Sequence, residues 1–254
     1  MTEVISIGEA RTRGGLRMVS LAGVPSPWTE AAKGIFQVKG IDFVLARRAP
    51  DEPADAAAAW VGNVGVPAVV FEQERVRTGW AETLLLAERL QPEPLLMPRD
   101  PERRALFLGL AHEICGELGL GWSQRLVMIG QSLDQGAAAG FPREIGEYLA
   151  PRYGWQDGAA EQGRKRVIEL LQMFSRRLDG HDYLMDDRLS ALDIYLATFL
   201  NLIRPLPAEL LPMSDMARVA YTCRDPDILT ACDSRLCAHQ ERIYDRHLEL
   251  PVQL

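Results

Sequence analysis

Ser26 is the residue whose type and position point most directly to chemistry. It lies between Pro25 and Pro27, after the apolar run Leu16–Leu21 and before a segment with helical spacing. Proline fixes the backbone on both sides, so the hydroxyl has a defined position. The amides and the dipole at a helix start favour an anion. The pattern therefore predicts either a site for a negative group or a simple turn or cap, and Thr29 is the neighbouring alternative for both.

Two dipeptides further along the chain also suit ligand binding. Val66-Pro67 stands before the β-rich run at 68–71, and X-Pro is the bond type that adopts the cis form in proteins. Glu82-Thr83 stands near the start of a helical pattern, where backbone amides can bind a carboxylate. The structural alternatives are a plain strand start and a solvated first-turn acid favoured by the helix dipole.

The other reactive side chains form no catalytic or metal-binding pattern. The four cysteines all lie after residue 114, and the separation of Cys232 and Cys237 by five positions is not a redox motif. His112 has no second ligand at helical spacing. We therefore expect reduced structural thiols, no metal, and no catalytic triad.

Composition limits the classes of protein further. The 254 residues carry a net charge of -7, which argues against a general nucleic-acid binder. No apolar stretch reaches the length of a membrane span, and the first residues lack the apolar segment of a secretory signal. These observations predict a cytoplasmic protein with neither nucleic-acid nor membrane partners.

Hydrophobic periodicity predicts two different architectures along the chain. The first part reads as a parallel βαβ unit, a helix, a β-hairpin and a closing helix, which is the thioredoxin-like arrangement. The predicted strands cover residues 16–21, 42–46, 68–71 and 75–77, and the predicted helices cover 29–39, 54–60 and 81–90.

Strand signals disappear after residues 91–101, a segment with four prolines. Helical patterns follow, and the one at 191–204 is apolar almost all round, so it must be surrounded by other helices. We therefore predict an α/β thioredoxin-like domain over residues 1–91 and an all-α domain over residues 92–254.

Three stretches in this order resemble the glutathione transferase superfamily. They are Val-Pro-Ser-Pro-Trp-Thr at 24–29 followed by Lys-Gly-Ile-Asp-Phe at 39–43, Val-Pro at 66–67 followed by Glu-Thr at 82–83, and the capping sequence Ser-Ala-Leu-Asp at 190–193. The resemblance implies the glutathione transferase fold, glutathione as cosubstrate, a small hydrophobic electrophile and a homodimer. A non-catalytic ligand- or protein-binding module of the same fold is the alternative.

The resemblance also implies roles for five residues. The Ser26 hydroxyl would donate to the glutathione sulfur and lower the pKa of its thiol. Val66 would present its backbone to the cysteinyl amide, beside a cis Pro67. Glu82 would pair with the γ-glutamyl ammonium, and the amide and hydroxyl of Thr83 would bind its carboxylate.

Some of the implied site stays open at the level of sequence. The hairpin is longer than the family pattern, so Thr78-Gly79 is a second candidate for the corner before the helix. The glycyl carboxylate has no evident anchor, with Lys33, Arg47 and Arg48 as candidates. An electrophile pocket between the domains would draw on Glu113, Trp122 and Arg125.

Overall fold

The computed structural model describes residues 2–48, 55–62, 65–138, 140–185 and 187–254. A four-stranded sheet with the order β1-β3-β2-β4 forms the first part of the chain. Strands β1 and β2 are parallel to β3, and β4 is antiparallel to β2. The strands are β1 Glu3–Ile5, β2 Leu16–Leu21, β3 Phe43–Arg48 and β4 Ala68–Phe71.

Helices cover both faces of this sheet, which explains why β2 is apolar along its length. Met18 packs in the cluster that includes the helix α2, whereas its neighbour Val19 packs in a second cluster on the other face. The helices of this part are α1 Ile7–Thr12, α2 Pro27–Val38, α3 Asp55–Val61 and α4 Trp80–Leu90. The sequence-predicted helix at 54–60 corresponds to α3, although residue 54 lies outside the described residues.

The sheet differs from the sequence prediction at both of its edges. The strands predicted at 16–21 and 68–71 are confirmed, but the strand predicted at 75–77 is wrong, since it is reduced to one bridge between Val69 and Arg77. Strand β1 and helix α1 were not predicted, because β1 has three residues and only Ile5 is buried. The sheet is therefore extended beyond β3 instead of beyond β4.

The remainder of the described chain has no strand and consists of helices and loops. The helices are α5 Pro101–Cys115, α6 Leu120–Gln135, α7 Arg143–Leu149, α8 Ala159–Arg177, α9 Ala191–Phe199, α10 Asp215–Tyr221, α11 Pro226–Ala231 and α12 Ser234–His247. The predicted fold class, a small mixed sheet followed by a helical part, is confirmed.

Helix α9 is the centre of the helical part. All nine of its residues are buried, as the apolar pattern predicted. Its start is fixed by Asp193, whose carboxylate accepts from the Ser190 amide at 2.8 Å, the Ser190 hydroxyl at 2.8 Å and the Leu184 amide at 2.8 Å. The hydrogen bonds of the capping sequence at 190–193 therefore hold both the preceding loop and the start of the central helix.

The proline-rich segment between the two parts is docked onto both of them. The buried Lys39 ammonium donates to the carbonyls of Gln91 and Pro94, both at 2.8 Å, and lies 3.1 Å from the Glu88 carboxylate. Leu96 donates its amide to Glu88 and accepts from the Ala191 amide at 2.9 Å. The segment is therefore a bridge between α4 and α9, and the boundary at residues 91 and 92 stays a prediction.

Candidate functional site

Ser26 is the N-cap residue of α2, and Pro27 is the first residue of that helix. Its amide donates to the Val24 carbonyl at 2.8 Å, and its carbonyl accepts from the Glu30 amide at 2.9 Å. Its side chain makes no capping hydrogen bond. The backbone around Ser26 is thus fixed, while its hydroxyl lies at the positive end of a helix without a hydrogen-bond partner among the described residues.

The Val66–Pro67 peptide bond is cis, as the sequence suggested. Val19 of β2 pairs with Ala68 of β4, so Pro67 lies at the sheet edge where β2 ends and the loop to Ser26 begins. Within the described residues, the Val66 amide and carbonyl take part in no backbone hydrogen bond. The Val66 backbone groups therefore lie at this edge and are free to bind a ligand within the described residues.

Helix α4 begins at Trp80, one residue before the start predicted from the sequence. Gly79 is its N-cap, and the Glu82 carboxylate accepts from the Gly79 amide at 3.2 Å. The amide and the hydroxyl of Thr83 both donate to the Gly79 carbonyl at 3.0 Å. Thr78-Gly79 consequently forms the corner before the helix, and both Thr83 donors are already used.

Glu82 has a charged partner on the hairpin. Its carboxylate lies 2.6 Å from the Arg75 guanidinium, and this hydrogen bond lowers the pKa of the Glu82 carboxyl. The pair is well exposed to solvent at the amino end of α4. The Trp80 and Ala81 amides in the same first turn make no hydrogen bond within the described chain.

A narrow cleft separates α2 and α4 from the helical part. It has room for roughly one water molecule. The Trp80 ring meets Tyr195 edge-on at 5.8 Å between centroids, and the Trp28 ring meets Phe199 at 4.8 Å. The lining is mostly apolar and consists of Trp28, Ala31, Ala32, Ile35, Pro67, Thr78, Trp80, Thr83, Cys115, Tyr195 and Phe199.

The structure brings some of the predicted site residues together and not others. Pro67 and Thr83 line this cleft, whereas Ser26, Val66 and Glu82 do not contribute to its lining. Ser26 is nevertheless only two positions before Trp28, which does line it. The sequence analysis missed Trp80 and Cys115, and no spacing rule identified them, because an aromatic ring or a thiol in a helix is usually a core residue.

The remaining candidates are engaged elsewhere. The Lys33 ammonium pairs with Glu30 at 2.6 Å and donates to the Gln253 carbonyl, which also accepts from Arg47. The Arg125 guanidinium is buried and donates to the Tyr221 hydroxyl at 2.8 Å. Neither these residues nor Glu113, Trp122 and Arg48 line the cleft.

Thr29 is buried one turn into α2, and its hydroxyl has no hydrogen-bond partner in the described residues. It is absent from the cleft lining, whereas the neighbouring Trp28 belongs to it. Within the described residues both hydroxyls near the start of α2 therefore lack a hydrogen-bond partner, and only Ser26 occupies the cap position.

Comparison with known proteins agrees with this fold. Residues 145–221 match the C-terminal domain family of glutathione S-transferases. No curated protein matches the chain by sequence.

Solved structures resemble the chain over nearly its whole length. A glutathione S-transferase domain-containing protein from Marinobacter aquaeolei has a TM-score of 0.63 at 16% identity, covering 92% of this chain and 100% of its own. A glutathione S-transferase from Methylobacillus flagellatus with glutathione bound has a TM-score of 0.61 at 12% identity, covering 91% and 96%. Glutathione transferase Omega 3C from Trametes versicolor has a TM-score of 0.60 at 16% identity, covering 95% and 90%.

The chain has the glutathione transferase fold, and its residues 145–221 match the C-terminal domain family of glutathione S-transferases. The fold consists of the sheet-containing part and the helical part, with the cleft between them. No helix in the described ranges is long and apolar enough to cross a membrane.

Proposed function

We propose that the chain is a glutathione transferase-like enzyme in which Ser26 stabilises the glutathione thiolate. The observation that carries the proposal is the uncommitted Ser26 hydroxyl at the amino end of α2, at the same sheet edge as cis Val66-Pro67. A hydroxyl donor and a helix dipole both favour a thiolate over a thiol. The activated sulfur would then attack a small hydrophobic electrophile.

The γ-glutamyl end and the cysteinyl amide of glutathione have complementary groups near the cleft. The γ-glutamyl end carries an ammonium and a carboxylate, and the Arg75–Glu82 pair offers the opposite charges. Because both Thr83 donors are used, the first-turn amides of Trp80 and Ala81 supply the carboxylate contact beside Thr83. The free backbone of Val66, next to Pro67, is suited to the cysteinyl amide.

Binding of a tripeptide requires the cleft to open. The Trp80 ring fills the space between Pro67 and Tyr195, so it must turn aside before glutathione reaches Ser26. Opening exposes the small cleft that continues towards Cys115 and Phe199. The apolar character of that continuation suits a hydrophobic electrophile.

We expect Glu82→Gln and Arg75→Gln each to weaken glutathione binding roughly tenfold, since each removes one charge-assisted contact. Isothermal titration with glutathione measures the change, and the unfolding temperature shows whether α4 is intact. Arg89→Gln is the matched control, because Arg89 pairs with Glu74 at 2.7 Å away from the start of α4. Equal losses in all three variants would remove the assigned role of the Arg75–Glu82 pair.

A second function is favoured by the apolar, nearly filled cleft. A non-catalytic member of the fold that binds other ligands or proteins needs neither open space at Ser26 nor free donors at Thr83. If wild-type protein binds no glutathione at millimolar concentration and transforms no electrophile, this second function replaces the first.

We also propose a cytoplasmic homodimer in which α4 of one subunit meets α5 of its partner. Leu85 on α4 and Leu106 on α5 are large apolar side chains with 41% and 50% of their surface exposed. Twofold pairing would cover both, and such dimers are the commonest assembly. Light scattering of the wild-type protein should give twice the mass of the chain. Leu106→Glu should lower the measured mass towards that of the monomer. A wild-type monomer would contradict the proposal.

A further inference from the structure

Two cysteines meet at the joint between helices α11 and α12. Cys232 is the C-cap of α11, and Cys237 lies in the first turn of α12. The Cys237 thiol donates to the Cys232 carbonyl at 3.7 Å, and the two thiols interact with each other. Their spacing along the chain is not a redox motif, so it is the turn between the helices that brings the two thiols together.

Arg204 approaches this pair from the loop that follows α9. It is an exposed residue, and its Nη1 lies 2.9 Å from the Cys237 sulfur. Within the described ranges, no carboxylate lies within ion-pair distance of the guanidinium. Its charge therefore acts on the Cys237 sulfur, and a guanidinium neighbour favours the negative, nucleophilic form of a cysteine.

The cysteines outside the pair have different surroundings. Burial raises the pKa of the Cys223 thiol, and the nearby Asp225 carboxylate raises it further. Burial alone raises the pKa of Cys115 well above its ordinary value. In the part of the chain that the structure describes, no guanidinium donates to either of these two sulfurs. The contact with Arg204 thus distinguishes Cys237 from them.

A groove on the helical part makes the pair accessible to a small reagent. Helix α12, the loop after α9 and the end of α11 form its walls, and Cys232, Cys237 and Arg204 all line it. Its volume is about 1210 Å³, whereas small-molecule sites are typically roughly 300–1,000 Å³. The two cysteines are only 6% and 9% exposed, so they are accessible to a small molecule and not to a protein surface.

We propose that Cys237 and Cys232 form a dithiol that a small disulfide, such as glutathione disulfide, oxidises reversibly. The Cys237 thiolate attacks one sulfur of the reagent, whose S–S bond breaks, so that one half leaves as a thiolate and the other half stays on Cys237. The Cys232 sulfur then gives its proton to solvent and attacks the Cys237 sulfur, which releases the second half as a thiolate. Two cysteines become one disulfide, and the reagent becomes two thiols when its thiolates take up protons.

The surroundings of the two sulfurs determine the order of these steps. Burial, and after it the neighbouring Cys237, raises the pKa of Cys232 to about 12, so Cys232 is a thiol at neutral pH. Because the thiolate is the attacking form, Cys237 reacts first and Cys232 follows slowly. The mixed disulfide on Cys237 therefore accumulates before the internal disulfide forms. This assignment is independent of the glutathione site, because neither thiol lines the cleft at Pro67.

Oxidation of the folded wild-type protein with hydroxyethyl disulfide tests the pair. This reagent is uncharged and lacks the groups that a glutathione site would bind, so its reaction reports on the thiols themselves. Non-reducing peptide mass spectrometry should show the mixed disulfide on Cys237 first and the Cys232–Cys237 disulfide later, with Cys223 and Cys115 still free. Dithiothreitol should restore both thiols. First modification of any other cysteine, or no reaction at Cys237, would overturn the proposal.

Replacing each thiol separates the two steps. Cys232→Ser should retain the mixed disulfide on Cys237, because no second thiol displaces it, whereas Cys237→Ser should leave Cys232 unmodified. The unfolding temperature shows whether each variant is folded. A mixed disulfide that persists in the wild type as long as in Cys232→Ser would overturn the role of Cys232.

Arg204 can be tested with both thiols in place. Arg204→Gln should slow the first modification of Cys237 roughly tenfold, and Arg204→Lys should restore much of the rate because it keeps the charge. Arg242→Gln is the matched control, since Arg242 lines the same groove but pairs with Asp182 at 3.2 Å. Equal slowing in Arg204→Gln and Arg242→Gln, or no slowing in Arg204→Gln, would overturn the assignment of Cys237 as the attacking thiol.

Discussion

Ser26→Ala is expected to lower glutathione-dependent turnover at neutral pH roughly 10- to 1000-fold, by comparison with the loss of other preorganised donors. The cause is the loss of the hydroxyl that stabilises the thiolate at the start of α2. Turnover should recover towards higher pH, because the thiol then ionises without help. The pH dependence of turnover and the ultraviolet absorption of the bound thiolate measure the effect.

Little of this loss should come from unfolding. The Ser26 side chain makes no capping hydrogen bond, so its removal leaves α2 without a broken contact. Thr29→Val is the matched control, because it replaces a buried hydroxyl that has no hydrogen-bond partner in the described residues. If Thr29→Val abolishes the thiolate and Ser26→Ala does not, Thr29 is the donor. If neither variant changes turnover or thiolate absorption, the result favours the non-catalytic binding module.

Asp193→Ala is expected to lower the free energy of unfolding by roughly 2–4 kcal/mol, because it leaves several buried donors without acceptors. The Asp193 carboxylate receives the amides of Leu184 and Ser190 and the Ser190 hydroxyl. Relief from burying the carboxylate offsets part of the loss. Urea unfolding of the variant measures the difference.

The N-cap of α5 is the control for this change. Asp100 accepts from the Arg103 amide at 2.9 Å in an exposed position, so Asp100→Ala should cost only about 1 kcal/mol. A similar cost for the two variants would show that Asp193 is an ordinary cap and not the centre of a buried network.

The neighbouring His239 gives the same network a defined pH dependence. Burial raises the pKa of Asp193 from 3.8 to about 6, so the free energy of unfolding falls as the pH rises from 3.8 to about 6 and the buried carboxyl ionises. Burial lowers the pKa of His239 from 6.5 to about 4, so stability is gained as the pH rises from about 4 to 6.5. The two effects oppose each other in the wild type, because one lowers and the other raises the free energy of unfolding over the same pH range. His239 Nε2 and Asp193 Oδ1 lie 3.6 Å apart in one buried pair. His239→Gln should therefore lose stability relative to the wild type as the pH rises between the two folded pKa values.

The sequence predicted the elements that carry long apolar signals. Strand β2 and helix α9 were found because nearly every residue in them is buried. Helix α12 was not predicted, since His239 and Gln240 occupy two of its buried positions and interrupt the apolar spacing. A buried polar residue with partners in distant elements cannot be distinguished from a surface residue by local pattern alone.

The sequence predicted which residues lie near the candidate site better than it predicted their hydrogen-bond partners. The sequence identified Ser26 at the start of α2 and the cis bond at Pro67, because proline restricts the backbone locally. It placed the start of α4 at residue 81, one residue late, and gave Thr78-Gly79 only as a second candidate for the corner, although Gly79 and Glu82 have the three-residue spacing of a capping box. That start determines which amides are free, so the partners of Thr83 followed only from the structure.

Lys39 limits where the chain can be cut to express its two parts separately. Its ammonium holds the Gln91 and Pro94 carbonyls, which lie on opposite sides of the predicted domain boundary. Cutting between residues 91 and 92 would thus leave a buried cation with an acceptor missing and would detach Leu96 from Glu88. A separately expressed first part should for this reason retain residues through Leu96, and limited proteolysis of the intact protein should spare the proline-rich segment despite its lack of helix and strand.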